Sequence, residues 1–215
     1  MSISKLSRGT VLAAAVLVGC AAAGFFVAQS WLGGGQQPAT GADYQATVLN
    51  NPRPLPAVEL TTKTGDAWTP DRDGEWQLMF FGFTHCPDVC PLTLTVMKQL
   101  KQRLADGSSG INLDVVFVSV DPARDDADTI RQYVEYFDPR FQGLTGELEQ
   151  IRRLTDALYL PFSHTPDDSA VGYRVDHSGA LVLVNPRGSA VAYMTPPHDV
   201  AGLATQIRRL VRQRS

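Results

Sequence analysis

Residues 82–91 read Gly82-Phe83-Thr84-His85-Cys86-Pro87-Asp88-Val89-Cys90-Pro91, and the segments on either side of them decide the fold. Before them, residues 77–83 form an apolar run, interrupted only by its leading Gln77 and by Gly82. Such a run suits a strand covered on both faces. After them, Leu92, Val96, Leu100 and Leu104 repeat at helical spacing and make one apolar stripe. The cysteine pair therefore falls at a strand-to-helix turn. Pro91 fits the first helical position, where a missing N–H costs nothing. Cys90 then caps or begins the helix and Cys86 lies in the loop just before it. Backbone N–H groups at a helix start favour anions, so both thiols are expected to lean toward thiolate, the form that binds metal and attacks disulfides.

Working outward, residues 113–120 form a second buried-strand pattern, and residues 125–137 carry Ile130, Val134 and Phe137 on one helical face. Residues 148–158 read as another helix. Residues 180–185, 186–188 and 189–193 read as strand, turn and strand. Residues 200–211 close the chain as a helix. Alternation alone gives an α/β fold with a partly parallel sheet. Strand–helix–strand–helix followed by a hairpin and a helix is the thioredoxin-like plan, a central mixed sheet flanked by helices.

Upstream, residues 1–9 carry Lys5 and Arg8 and no acid, and residues 11–28 run without a charge for 18 residues. This is the lower edge of a membrane-spanning length and also the form of a secretory signal. Residues 1–28 are accordingly a signal-anchor or signal segment. An alternative is a lipid anchor at Cys20, because residues 17–20 (LVGC) resemble a lipobox. Residues 29–54, opening on Gly33-Gly34-Gly35, read as a flexible linker. The globular domain is expected over residues 55–215.

Leaving out residues 1–28 removes two of the 19 cations, so 17 Lys and Arg face 22 Asp and Glu, a net charge of −5. That balance speaks against nucleic-acid binding, which needs a basic face. Arg208, Arg209, Arg212 and Arg214 fit the negative end of the last helix or, alternatively, contact with lipid headgroups. The exported part keeps only Cys86 and Cys90, too few for a disulfide scaffold. Three residues separate them, one more than in C-x-x-C oxidoreductases. The wider loop can close a disulfide or open around one metal ion.

Four histidines are available as a third ligand. His85 adjoins Cys86 in a tight loop and is expected to point away. His164 lies in a polar loop and reads as solvated, and His198 follows Pro196-Pro197 near the last helix. His177 sits in a short connection into a buried strand, which the thioredoxin-like plan brings toward the start of the first helix. Two thiolates and one imidazole suit Cu(I), or Cu(II) with a further ligand; structural zinc normally takes four protein ligands. Asp121, after a buried strand and before Pro122, reads either as a residue bonding a ligand or a neighbouring loop, or as a turn cap. Asp88 reads as a local cap.

Residues 83–91 (FTHCPDVCP), 118–125 (VSVDPARD), 137–146 (FDPRFQGLTG) and 173–178 (YRVDHS) together resemble the Sco/SenC family. The resemblance implies a thioredoxin-like domain anchored in the bacterial inner membrane and facing the periplasm. It implies copper bound by Cys86, Cys90 and His177. It further implies a metallochaperone role in maturing the dinuclear copper centre of cytochrome c oxidase subunit II, with a copper donor protein and a thiol reductant as further partners. The alternative is a thiol–disulfide oxidoreductase using Cys86 and Cys90 as its redox pair, for which His177 is dispensable. A thiol peroxidase is disfavoured, since the Pro-x-x-x-Thr-x-x-Cys pattern is absent around Cys86.

Overall fold

The computed structural model describes residues 46–70, 75–106, 111–168 and 172–214. The 18-residue apolar run lies outside these residues; within them no helix is long and apolar enough to cross a membrane. Among the described residues the chain forms a seven-stranded mixed sheet in the order β1-β9-β8-β3-β4-β5-β2. Its strands are β1 (Thr47–Pro54), β2 (Leu60–Thr62), β3 (Trp76–Gly82), β4 (Leu113–Ser119), β5 (Gln142–Gly146), β8 (Leu181–Val184) and β9 (Ser189–Met194). A separate hairpin pairs β6 (Ser163–Pro166) with β7 (Tyr173–Asp176). The helices are α1 (Val89–Ala105), α2 (Ala127–Phe137), α3 (Leu148–Ala157) and α4 (Val200–Arg214).

The apolar run of residues 77–83 makes the centre of this sheet. β3 pairs in parallel with β4 on one side and antiparallel with β8 on the other. Every residue of β3 is buried, as a strand covered on both faces requires. Successive side chains point to opposite faces, so β3 feeds two cores. Leu78 and Phe80 join Leu94, Met97 and Leu100 of α1, Ile130 and Val134 of α2, and Leu203 and Ile207 of α4. Met79 and Phe81 join Val116 and Val118 of β4 and Ile151 and Leu154 of α3. Gly143 lets α2 lie close on β5: a Cβ there would meet Ile130 Cγ2 at 2.1 Å.

One boundary moves. Residues 47–54, expected to belong to the linker, form β1, which pairs antiparallel with β9 at the sheet edge. Their composition hides this. The strand carries Pro52 and Pro54, has no apolar alternation, and exposes most of its side chains, as an edge strand can. Arg214 Nη2 donates to Leu49 O at 2.6 Å, and Arg208 Nη2 donates to Arg103 O in the last turn of α1 at 2.7 Å. Two of the C-terminal arginines thus hold backbone carbonyls.

Candidate metal centre

Helix α1 starts two residues earlier than Pro91 suggests. Asp88 occupies the N-cap position, but its side chain makes no capping hydrogen bond. The sulfur of Cys86 takes that role, accepting the Cys90 N–H at 3.4 Å. Pro91 is the third helical residue, still within the first turn whose N–H groups lack helical partners. The turn therefore places Cys86 at the helix start and Cys90 on the buried side of the first turn. Gly82 makes room for the second sulfur: a Cβ there would lie 2.8 Å from Cys90 Sγ.

His177 arrives from the far end of the chain, just after β7. Its Nε2 lies 3.6 Å from Cys90 Sγ. The ligand atoms of Cys86, Cys90 and His177 all lie within 4.8 Å of one another, the one such group of three among the described residues. Both thiols are free; Cys90 is buried and Cys86 half-buried. The imidazole is held edge-on by Phe80 and Phe83, with ring centroids 6.0 and 5.7 Å away. Its Nδ1 faces Ser178 O at 3.1 Å. A carbonyl can only accept, so Nδ1 carries the proton and Nε2 keeps its lone pair toward the sulfurs. Burial holds the His177 pKa below its ordinary value, against opposing backbone hydrogen bonds to Ser178 and Phe81, which favours the neutral ring that can ligate.

The expected thiolate bias fails at Cys90. Burial pushes this thiol far up, and hydrogen bonding and charge from Cys86 and the charge of Asp125 add to the effect. Desolvation of a sulfur in the core outweighs the dipole of the helix start. A metal ion reverses that balance, because a coordinating thiol is deprotonated outright. The Tyr133 hydroxyl is likewise raised by burial and by the two cysteines, and it has no hydrogen-bond partner among the described residues.

Asp121 touches none of the three ligands. It accepts the Tyr173 hydroxyl at 2.8 Å and an ion-paired hydrogen bond from Arg124 Nε. Both sequence readings have a counterpart: through Tyr173 Asp121 ties down β7, whose end delivers His177, and its carbonyl accepts the Arg124 and Asp125 N–H groups in the turn after β4. Arg124 also stacks over Tyr173 and Phe83, 4.7 and 5.6 Å from the ring centroids. His164 is not solvated as expected. It lies in β6 between the Phe162 and Tyr173 rings, and its buried Nε2 is 3.9 Å from Asp121 Oδ1. His85 is 56% exposed and turns to Thr84 and Asp125. His198, which directly follows the cis Pro196–Pro197 bond, donates from Nε2 to Gly179 O at 2.9 Å.

Sequence reading missed Gly82, Thr84, Phe83, Tyr173 and Asp125 as site residues. Their signal was present only as short motifs around residues 83–91, 118–125 and 173–178. The site is reachable: a cleft of about 520 Å³ lined by Tyr159, Phe162, Ser163, Asp176 and His177 opens beside the imidazole.

The family model described as SCO1/SenC matches residues 52–212, most of the chain. The chain belongs to the SCO1/SenC family. A protein of Stutzerimonas stutzeri is 40% identical over 163 residues, which cover 74% of this chain and 78% of that one. The mitochondrial protein SCO1 homolog of Homo sapiens is 40% identical over 136 residues, 62% of this chain and 45% of the human protein. This SCO1/SenC chain therefore spans less than half the length of that relative. Among solved structures, Arabidopsis thaliana ScoI with copper bound superposes with a TM-score of 0.69 at 32% identity, covering 74% of this chain and 98% of that one. The mixed sheet flanked by helices matches that thioredoxin-like Sco fold.

Proposed function

We propose that this protein carries copper on Cys86, Cys90 and His177 and delivers it to the dinuclear copper centre of cytochrome c oxidase subunit II. The observation that carries the reading is the convergence of two free sulfurs and one imidazole, its Nδ1 facing Ser178 O, within 4.8 Å. Two soft thiolates and an imidazole form a donor set suited to copper. Three protein ligands leave a position for an incoming acceptor, which hand-over by ligand exchange needs. Half-buried Cys86 offers the approach. Copper bound in the Arabidopsis relative adds support.

The basic start and the uncharged residues 11–28 support an N-terminal anchor in the bacterial inner membrane, with the domain in the periplasm. A transmembrane helix fits the length of the run; a lipid on Cys20 is its rival. There the domain takes copper from a donor protein, and a thiol reductant keeps Cys86 and Cys90 open.

A second reading rests on the contrast between the two sulfurs. Half-buried Cys86 and buried Cys90 resemble an attacking and a resolving thiol, which would reduce the acceptor's cysteines rather than metallate them. The test mixes the copper-loaded domain with reduced, copper-free soluble subunit II and separates the two by gel filtration. Delivery is expected to move copper onto the acceptor with appearance of the dinuclear centre's absorption. Copper retained by this domain, together with reduction of an oxidised acceptor by the copper-free dithiol form, would instead establish the reductase.

A further inference from the structure

Asp125 has no solvent exposure and stands apart from the three converging ligand atoms, yet its side chain is fully engaged around the cysteine loop. Oδ2 accepts the Thr84 backbone N–H at 2.9 Å and the Ser119 hydroxyl at 2.6 Å. Oδ1 accepts the Thr84 hydroxyl at 2.6 Å and lies 3.8 Å from His85 Nδ1. The backbone of Asp125 is fixed as well. Its N–H donates to Asp121 O at 3.0 Å, and its carbonyl accepts the Thr145 hydroxyl from β5 at 2.8 Å. The carboxylate thus joins the end of β4 to the two residues directly before Cys86, and the backbone of Asp125 ties the approach to α2 to β5.

A buried carboxylate is costly to desolvate and persists only when its lone pairs are satisfied. Here three of the bonds it accepts come from Thr84 and Ser119, so its burial is coupled to the position of Thr84. Thr84 is two residues from Cys86, and the turn between them is closed by Cys86 N–H on Phe83 O at 3.3 Å. Movement of the loop would break both Thr84 bonds and leave a charge unpaired in the interior, the costly way to lose a buried ionic contact. On its other side Cys86 is held by one long contact, its sulfur accepting the Cys90 N–H at 3.4 Å, while Asp88 adds no side-chain cap.

We infer that Asp125 is a positioning residue that clamps the Thr84–His85 segment and so fixes the Cys86 sulfur relative to Cys90 and His177. The clamp holds the sulfurs in the open, metal-ready arrangement seen here and opposes their collapse into a disulfide. The copper arm of the inference rests on the proposed function; the redox arm does not.

The test compares Asp125→Asn, Thr84→Val and Asp138→Asn in the soluble domain. An asparagine keeps the size of Asp125 but turns an N–H donor toward Thr84 or Ser119. Thr84→Val removes the hydroxyl bond and leaves the backbone bond. Asp138 is a second buried carboxylate, bonded to Arg140 and not to the cysteine loop, and controls for general loss of stability. Each variant is equilibrated with dithiothreitol redox buffers. In that exchange Cys86 and Cys90 give up two electrons and two protons to oxidised dithiothreitol, forming one disulfide and reduced dithiothreitol. Expected for Asp125→Asn is a disulfide formed at least tenfold more readily and Cu(I) released to a chelator at least tenfold faster. Thr84→Val should shift both in the same direction by a smaller factor, and Asp138→Asn should shift neither. If Asp125→Asn does not fold, Thr84→Val decides. An unchanged redox equilibrium in a folded Asp125→Asn or, failing that, in Thr84→Val overturns the inference. Wild-type domain that takes up no copper while the redox shift is present refutes the copper reading and leaves the clamp standing.

Discussion

His177 Nε2 lies 3.6 Å from Cys90 Sγ across 87 residues of sequence. The contact joins two segments at one end of neighbouring strands: Cys90 lies in α1, which follows β3, and His177 precedes β8, the antiparallel neighbour of β3. Sheet pairing therefore sets the ligand spacing.

Replacing the imidazole should separate metal binding from thiol chemistry. His177→Ala is expected to lower Cu(I) affinity by more than the roughly 10–100-fold that loss of an outer-shell partner costs. The Cys86–Cys90 redox equilibrium should move little, because it needs only the two sulfurs. Competition with a chromophoric Cu(I) chelator measures the first quantity and a glutathione titration the second. Equal affinity in the variant would remove His177 from the site.

Gly82→Ala tests the space that the second sulfur requires. A Cβ at 2.8 Å from Cys90 Sγ, and 3.1 Å from the Phe117 ring, overpacks a rigid strand end. The expected cost is about 1–3 kcal/mol of unfolding free energy in urea, together with weaker copper retention. Wild-type stability and retention would show that α1 shifts away without penalty.

The Tyr173–Asp121 hydrogen bond should matter to the hairpin that delivers His177. Tyr173→Phe removes one donor at 2.8 Å on a half-buried ring, so about 1 kcal/mol is expected. Hydrogen exchange should quicken in β6 and β7 and stay unchanged in β3 and β4. Uniform change across the sheet would contradict a local role.

These tests probe residues of unequal legibility. The run of residues 77–83, the stripe of α1 and the cysteine pair were legible because burial on both faces and helical periodicity leave strong patterns. β1 and β5 were not: β1 is an exposed edge, and β5 is five residues with two glycines, one of them forced by contact with Ile130. The position of His177 followed from the order of elements, but the fate of His164 did not, since only the paired β6 and β7 bring it to Asp121. The thiol bias was misjudged because a helix start is visible in sequence and the burial of one sulfur is not.

Stability should fall on acidification through His198. Burial holds this imidazole's pKa below its ordinary value, against the bond to Gly179 O. The unfolded chain then binds the proton more readily than the folded one, so stability is lost as pH drops below about 6.5. Melting temperatures of the copper-free domain between pH 8 and pH 5, on the order of half-unit steps, check this. His198→Gln should be less stable at neutral pH and show a shallower acid slope; an unchanged slope would exclude His198 as a source.

The most direct test of the ligand set is X-ray absorption on the Cu(I)-loaded soluble domain, wild type beside His177→Ala. The expected result is two sulfur neighbours and one imidazole nitrogen in the wild type, with the imidazole signal lost in the variant. An imidazole that persists in His177→Ala, or a wild-type site with sulfur neighbours alone, would contradict copper ligation by Cys86, Cys90 and His177.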